Sequence, residues 1–402
     1  MKWRLAAAAL VLAAGALAAV VLIGRGIPTH KVTRPRITTP APKRQNNSLP
    51  WPTYGFDNAR TRAVTAPGLR PPFRRPLWRW HAHNLLEFPP VAGYGMLYDE
   101  SFNGLLHAID PATGKEKWPP YDSHRCGWSS PALGDGLVFA TFIGSVSPTP
   151  CSQLPNGGLV AIDAHTWKIR WSRNIAQSES SPLFSHGVVY FGTTDGFVHA
   201  FAAATGKPLW SFDTGGQVKG SPALVRGRIF IGTYGGTVFA LDASTGHEIW
   251  HQGGYGNFYA GPSVVDGRVY LGTISHHVYA FSTRTGHQLW DFPTGGYVYA
   301  STAVWRGIVL VGSYDGNFYA INGASGTERW QFRAGGAISG AASVINGIVY
   351  FSTLSPHRTY ALNASSGHLI KRWDDGDYSP AVAAGGRFFL IGLGQIYALT
   401  PR

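Results

Sequence analysis

Few side chains in this sequence stand where chemistry would want them. His81 and His83 flank Ala82 and, on an extended chain, put two imidazoles on one face. Metals use such a pair, but no third ligand is evident. His276 and His277 are adjacent and point to opposite faces if extended. Cys126 and Cys151 are the two cysteines. A lone pair in a chain with an export-like start reads as one disulfide in an oxidising compartment; the other reading is two separate thiols. Glu179, Asn257 and Asp377 carry oxygens of the kind Ca²⁺ takes when several converge. No G-x-S-x-G, H-E-x-x-H, Walker or C-x-x-C pattern occurs.

A repeat decides whether these residues meet. The phrase ALDASTGHEIW ends at Trp250, and degenerate copies end at Trp78, Trp118, Trp171, Trp210, Trp290, Trp330 and Trp373. The spacings are 40, 53, 39, 40, 40, 40 and 43 residues. A period near 40 with apolar alternation means about four short strands, the size of a propeller blade. Within a unit the strands read A (SPALV), B (RIFIGT), C (TVFALD) and D (EIW). Asp242 and its hydroxyl neighbours suit a C–D turn, and Gly246 suits its left-handed position. The small Ala240 lets a neighbouring blade approach, and each tryptophan is expected to wedge between blades. Trp167 stands where the turn glycine should be, so a different turn is expected there. The longer step from Gly367 to Trp373 predicts a bulge. The residues inserted around Cys151 make the second unit the longest.

Eight C strands can be counted, the last (QIYALT) with no D strand after it, while RPLW at Trp78 has no C strand before it. The two fragments complete one blade. The expected fold is therefore an all-β, eight-bladed propeller of four-stranded antiparallel blades over residues 51–402, closed by both ends of the chain. With strand A innermost, two columns of residues face the funnel. The first is Glu87, Ser129, Glu179, Lys219, Tyr259, Tyr299, Ser339 and Asp377. The second includes Gln177, Gln217, Asn257, Tyr297 and Asp375. We read Glu87, Glu179, Gln217, Lys219, Asn257, Tyr259, Tyr297, Tyr299 and Asp377 as a polar funnel rim that holds no metal. Tyr255, Phe258, Tyr259, Tyr297 and Tyr299 form the aromatic surface expected to meet a partner.

Charge separates the arm from the body. Of the net +13, residues 1–80 carry all of it and residues 81–402 balance to zero, which argues against a nucleic-acid partner. Residues 5–24 are apolar and long enough for one bilayer core, as a signal peptide or a membrane anchor. Residues 25–50 hold six Lys/Arg and no acid and read as a Pro-rich disordered tether. The propeller would then be extracytoplasmic, held at the cell membrane, or secreted if the leader is cut.

The A-x-D-x-x-T-G-x-x-x-W units resemble the pyrroloquinoline-quinone-like repeat of the quinoprotein-dehydrogenase-like superfamily, over roughly residues 51–402. The segment WPTYGFDNARTR also looks like that superfamily's lead-in. The resemblance implies two branches. One holds the quinone and Ca²⁺ in its funnel and oxidises alcohols or sugars, typically with adjacent cysteines beside the quinone. The other resembles the outer-membrane assembly lipoprotein and binds partners without catalysis. This sequence has no Cys-Cys pair and one visible insertion, so we expect a non-catalytic scaffold for a protein or an envelope polymer, with no cofactor.

Overall fold

Most C–D turns open on an aspartate or asparagine, with Ala202 and Ser282 the exceptions, and each closes on a left-handed residue. The computed structural model describes residues 51–66, 68–69, 71–73, 75–144, 156–378 and 380–401. In the fourth blade the strands are Ala223–Val225, Arg228–Gly232, Val238–Asp242 and Glu248–Gln252. Asp242 Oδ1 accepts the N–H groups of Ser244 and Thr245, and Gly246, at φ +76°, donates its N–H to the Asp242 carbonyl at 2.8 Å. A one-residue bulge follows, and the strand resumes with Trp250 opposite Ala240.

Eight such antiparallel sheets form the ring, and among the described residues every regular element is a strand. The last sheet joins Ala381–Ala384, Arg387–Ile391 and Gln395–Leu399 to the N-terminal strand Trp78–His81, with Trp78 opposite Ala398. The expected closure is thus the one observed. Cys126 is buried in a short strand of the second blade, whereas Cys151 lies outside the described residues. So do the leader, residues 5–24, and the tether, residues 25–50. No helix among the described residues is long and apolar enough to cross a membrane.

The blades are joined through their indoles. Trp78, Trp171, Trp210, Trp250, Trp290 and Trp330 each donate the indole N–H to a turn carbonyl of the next blade, at 2.8–3.2 Å. The ring lies on that turn's glycine, so a Cβ there would sit only 2.5–2.8 Å from ring atoms. Glycine is required twice, for its positive φ and for the close approach of the ring.

Two seams depart from this rule, and both correct the sequence reading. Trp167 does not change the turn: it adopts φ +59° and donates its N–H to the Asp163 carbonyl as the glycines do. Trp118 stacks on it face to face, 5.5 Å between ring centroids and 5° between planes. The second correction concerns Trp373. The bulge expected in the seventh blade is present, between Ala361 and Leu362, but one falls at the same point of several other blades, so it does not account for the longer step. What marks the seventh is register: Lys371 stands opposite Ala361, where the other blades place tryptophan, and Trp373 falls opposite Thr359, the place of Phe332 in the sixth. Nothing is missing. The eighth blade takes its C and D strands from opposite ends of the chain and has no C–D turn to receive an indole.

The lead-in segment locks the centre. Trp51 pairs with Ala92, and the carbonyls of Pro52, Asn58, Ala59, Thr61 and Arg62 accept N–H groups from Leu133, Leu224, Val264, Val304 and Val344. Ala63–Val64 then runs parallel to Ser343–Ile345. The segment therefore lies across the inner strands of six blades. The fully buried Arg60 guanidinium adds a seventh, donating to the carbonyls of Tyr54, Ser181, Pro182 and Pro222 and to Thr53 Oγ1.

The indole seat can be isolated within one blade. Gly227 and Gly246 both have positive φ, +74° and +76°, but a Cβ on Gly227 meets nothing within 4 Å, whereas on Gly246 it meets Trp210 at 2.6 Å. Gly227→Ala should cost about 1–2 kcal/mol of backbone strain. Gly246→Ala should cost about 2 kcal/mol more, from overpacking. Urea unfolding midpoints check this; equal losses would contradict the seat.

Candidate functional site

The first funnel column converges as its alignment implies. Glu87, Glu179, Lys219, Tyr259, Tyr299 and Ser339 line a single central cavity of about 60 Å³. Lys219 Nζ donates to Glu179 Oε1 at 3.0 Å, and the Tyr259 hydroxyl donates to Glu179 Oε2 at 3.0 Å. The ammonium also lies 5.3–5.4 Å from the Tyr259 and Tyr234 ring centroids, a favourable cation–π distance. Lys219, the one cation among the described residues that line this cavity, is thus held by a carboxylate and two rings.

The second column stays at the rim, except Asp375, whose carboxylate accepts the Tyr397 hydroxyl in a separate groove. Gln217 is exposed, and its carbonyl accepts the Tyr234 N–H. Asn257 Nδ2 donates to the Tyr234 carbonyl at 2.5 Å. Tyr297 is 46% exposed and stands edge-on to Tyr299, 5.9 Å between centroids. Asp377, placed in the first column by sequence, is buried beside His357 (3.9 Å) and does not line the cavity. Ser129 likewise turns away, donating to Glu100 and the Thr141 carbonyl. Phe258 is no surface residue. It is fully buried against Gly232, and the accessible aromatics nearby are Tyr297, Tyr299 and Tyr314, which pack edge-on or tilted on one another.

Sequence reasoning missed the floor and part of the walls. Tyr54 from the lead-in segment lines the cavity, with Phe88, Trp128 and Tyr378. The Arg62 guanidinium lies 4.0 Å from the Tyr54 ring centroid. Burial, then the neighbouring Arg62, lowers the Arg60 guanidinium to about 9.

Two other clusters resemble chemistry. His81 and His83 lie 6.2 Å apart, and among the described residues no three His, Cys, Asp or Glu are grouped to hold a metal. Ser101 Oγ, His107 and Glu116 form a chain of 3.1 and 2.9 Å contacts, the order of a nucleophile triad. Ser101 is fully buried, however, and Thr193, His199 and Ser211 repeat the chain at 3.1 and 2.7 Å. These contacts brace the B–C turn.

Glu87 has the most perturbed carboxyl of the cavity. Burial, then the Glu179 charge, pushes it up to about 7. A carboxyl raised above its unfolded value binds more protons in the folded state. Its ionisation therefore removes stability as pH climbs from about 4.5 to about 7. The full shift corresponds to about 3 kcal/mol, and partial hydration of the side chain reduces the expectation to about 1–2 kcal/mol. Glu87→Gln should raise urea stability by that amount at pH 8 and leave it unchanged at pH 4. An equal effect at both pH values would contradict the assignment.

Comparison with known proteins follows the fold. The family described as outer membrane protein assembly factor BamB matches residues 102–217 and 194–401. Among curated relatives, the quinohemoprotein alcohol dehydrogenase of Comamonas testosteroni is 30% identical over 138 residues, 34% of this chain and 17% of that protein. The chain thus matches under a fifth of that relative's length. Among solved structures, BamB from Moraxella catarrhalis superposes with a TM-score of 0.67 at 19% identity, covering 82% of this chain and 99% of that one. The Comamonas testosteroni dehydrogenase gives 0.72 at 15% identity, covering 88% and 81%. At these identities both structures report the shared propeller.

Proposed function

The chain belongs to the family of outer membrane protein assembly factor BamB, and from that membership we propose a non-catalytic binding scaffold of the cell envelope. Its partner is a protein received at the tyrosine-rich funnel mouth. The observation that carries the proposal is the small volume of the funnel cavity. A cavity of about 60 Å³, floored by Tyr54, is far below the roughly 300–1,000 Å³ of small-molecule sites.

Charge supports the same reading over quinone-dependent alcohol or sugar oxidation. An anionic tricyclic quinone would meet two carboxylates, Glu87 and Glu179, and one ammonium already bound to Glu179. The residues do not fit that group, and we derive no step through it. The rim suits a protein: Tyr297 and its neighbours offer flat, amphipathic contact area at low entropic cost. In this proposal the propeller is extracytoplasmic, with residues 5–24 as its leader or anchor and the basic tether between; an envelope polymer would be the other occupant of the rim.

Titration of the full-length chain with pyrroloquinoline quinone, with and without Ca²⁺, should give no binding, while a photo-cross-linker at position 297 should capture a protein in cells that one at the outer-edge position 209 does not. One-to-one, Ca²⁺-dependent quinone binding would overturn the proposal, as would equal capture at both positions.

A further inference from the structure

The seam between the seventh and eighth blades is built differently from the rest. Elsewhere an indole fills the seam, but here Lys371 occupies the indole position and no C–D turn faces it. The tyrosines of strand B report the same gap. Tyr98, Tyr190 and Tyr270 donate their hydroxyls to turn carbonyls of the next blade. Their counterpart Tyr350, fully buried opposite Ala361, has no partner for its hydroxyl among the described residues.

The space left is a groove of about 450 Å³. Phe73, Trp373 and Tyr397 supply its rings, and Arg75, Arg79 and Lys371 supply its cations. Among the described residues none of these cations has a carboxylate within ion-pair distance. The groove's own acids are already engaged: Asp374 with Arg358 and Arg372 at 3.4 and 3.3 Å, Asp375 with the Tyr397 hydroxyl. Arg79 lies 5.2 Å from the Tyr397 ring centroid. The surface is thus aromatic with unmatched positive charge, and its volume suits a ring with its flanking backbone.

We propose that this seam is a docking groove for an extended segment of a partner protein that carries an aromatic residue flanked by carboxylates. The ring would take the space an indole fills at other seams, and the carboxylates would meet Arg75, Arg79 and Lys371. Charge selects this occupant over the chain's own residues 25–50, which hold six Lys/Arg and no acid. The groove is separate from the funnel mouth and stands without the reading proposed for it.

The test is fluorescence anisotropy of a labelled, end-blocked Gly-Asp-Trp-Asp-Gly peptide with the full-length chain, against the same peptide with Lys in place of Asp. The acidic peptide should bind with a micromolar Kd and the basic one at least tenfold more weakly. Lys371→Trp, which restores the indole, should abolish binding and raise the unfolding temperature. Arg79→Ser, at an exposed position, should weaken binding at least fivefold with the unfolding temperature unchanged, and it carries the test should Lys371→Trp not fold. Equal binding of the two peptides, or undiminished binding by Arg79→Ser, would overturn the proposal.

Discussion

An indole laid on the turn glycine of the next blade is the contact on which this ring depends. It combines a buried ring, a satisfied N–H and a left-handed turn that only a residue without Cβ provides under the ring. No blade can bury its faces alone, because each is a thin four-stranded sheet. Once six seams share that contact, the remaining two must solve the same problem otherwise. The Trp118–Trp167 stack does so by keeping the turn and replacing the glycine with a second indole. A left-handed tryptophan is strained, and the parallel ring contact offsets that strain. The closing seam has no turn to dock on, and lysine replaces tryptophan there.

The centre is governed by a second constraint, the burial of Arg60. A guanidinium taken out of water needs its donors satisfied, and here three carbonyls just before the inner strands, one lead-in carbonyl and one hydroxyl accept them. The arrangement ties the lead-in segment to the ring and places Tyr54 under the funnel. A funnel with such a floor, and with its lysine bound to Glu179, has little room for a small molecule. The contacts we propose therefore lie outward, at the tyrosine rim and at the seam the architecture leaves open.

Much of this was legible in the residues. The spacing of Asp, Gly and Trp gave the blades, and the two incomplete units gave the closure. The column ending two residues before each A strand brought Glu87, Glu179, Lys219, Tyr259 and Tyr299 together, because equivalent positions of a repeat share one radius. What was not legible involved register and long-range crossing. Trp373 looked like its predecessors, yet two extra residues after Gly367 shift it by one pleat repeat and leave Lys371 in its place. Phe258 looked exposed among tyrosines. Its column companions Val218, Val298 and Ile338 are all apolar, and each packs against a strand-B glycine of the preceding blade; that alternation was the available signal. Nothing local in the lead-in announces that it crosses six blades.

Amide hydrogen exchange of the full-length chain, read strand by strand, tests the seat most directly. Local opening follows the least packed boundary. Strand Leu369–Trp373 should therefore exchange first, ahead of Glu248–Gln252 and Gln288–Pro293, whose indoles are seated. Uniform protection of all outer strands, or earliest opening at a seam with a seated indole, would contradict the account.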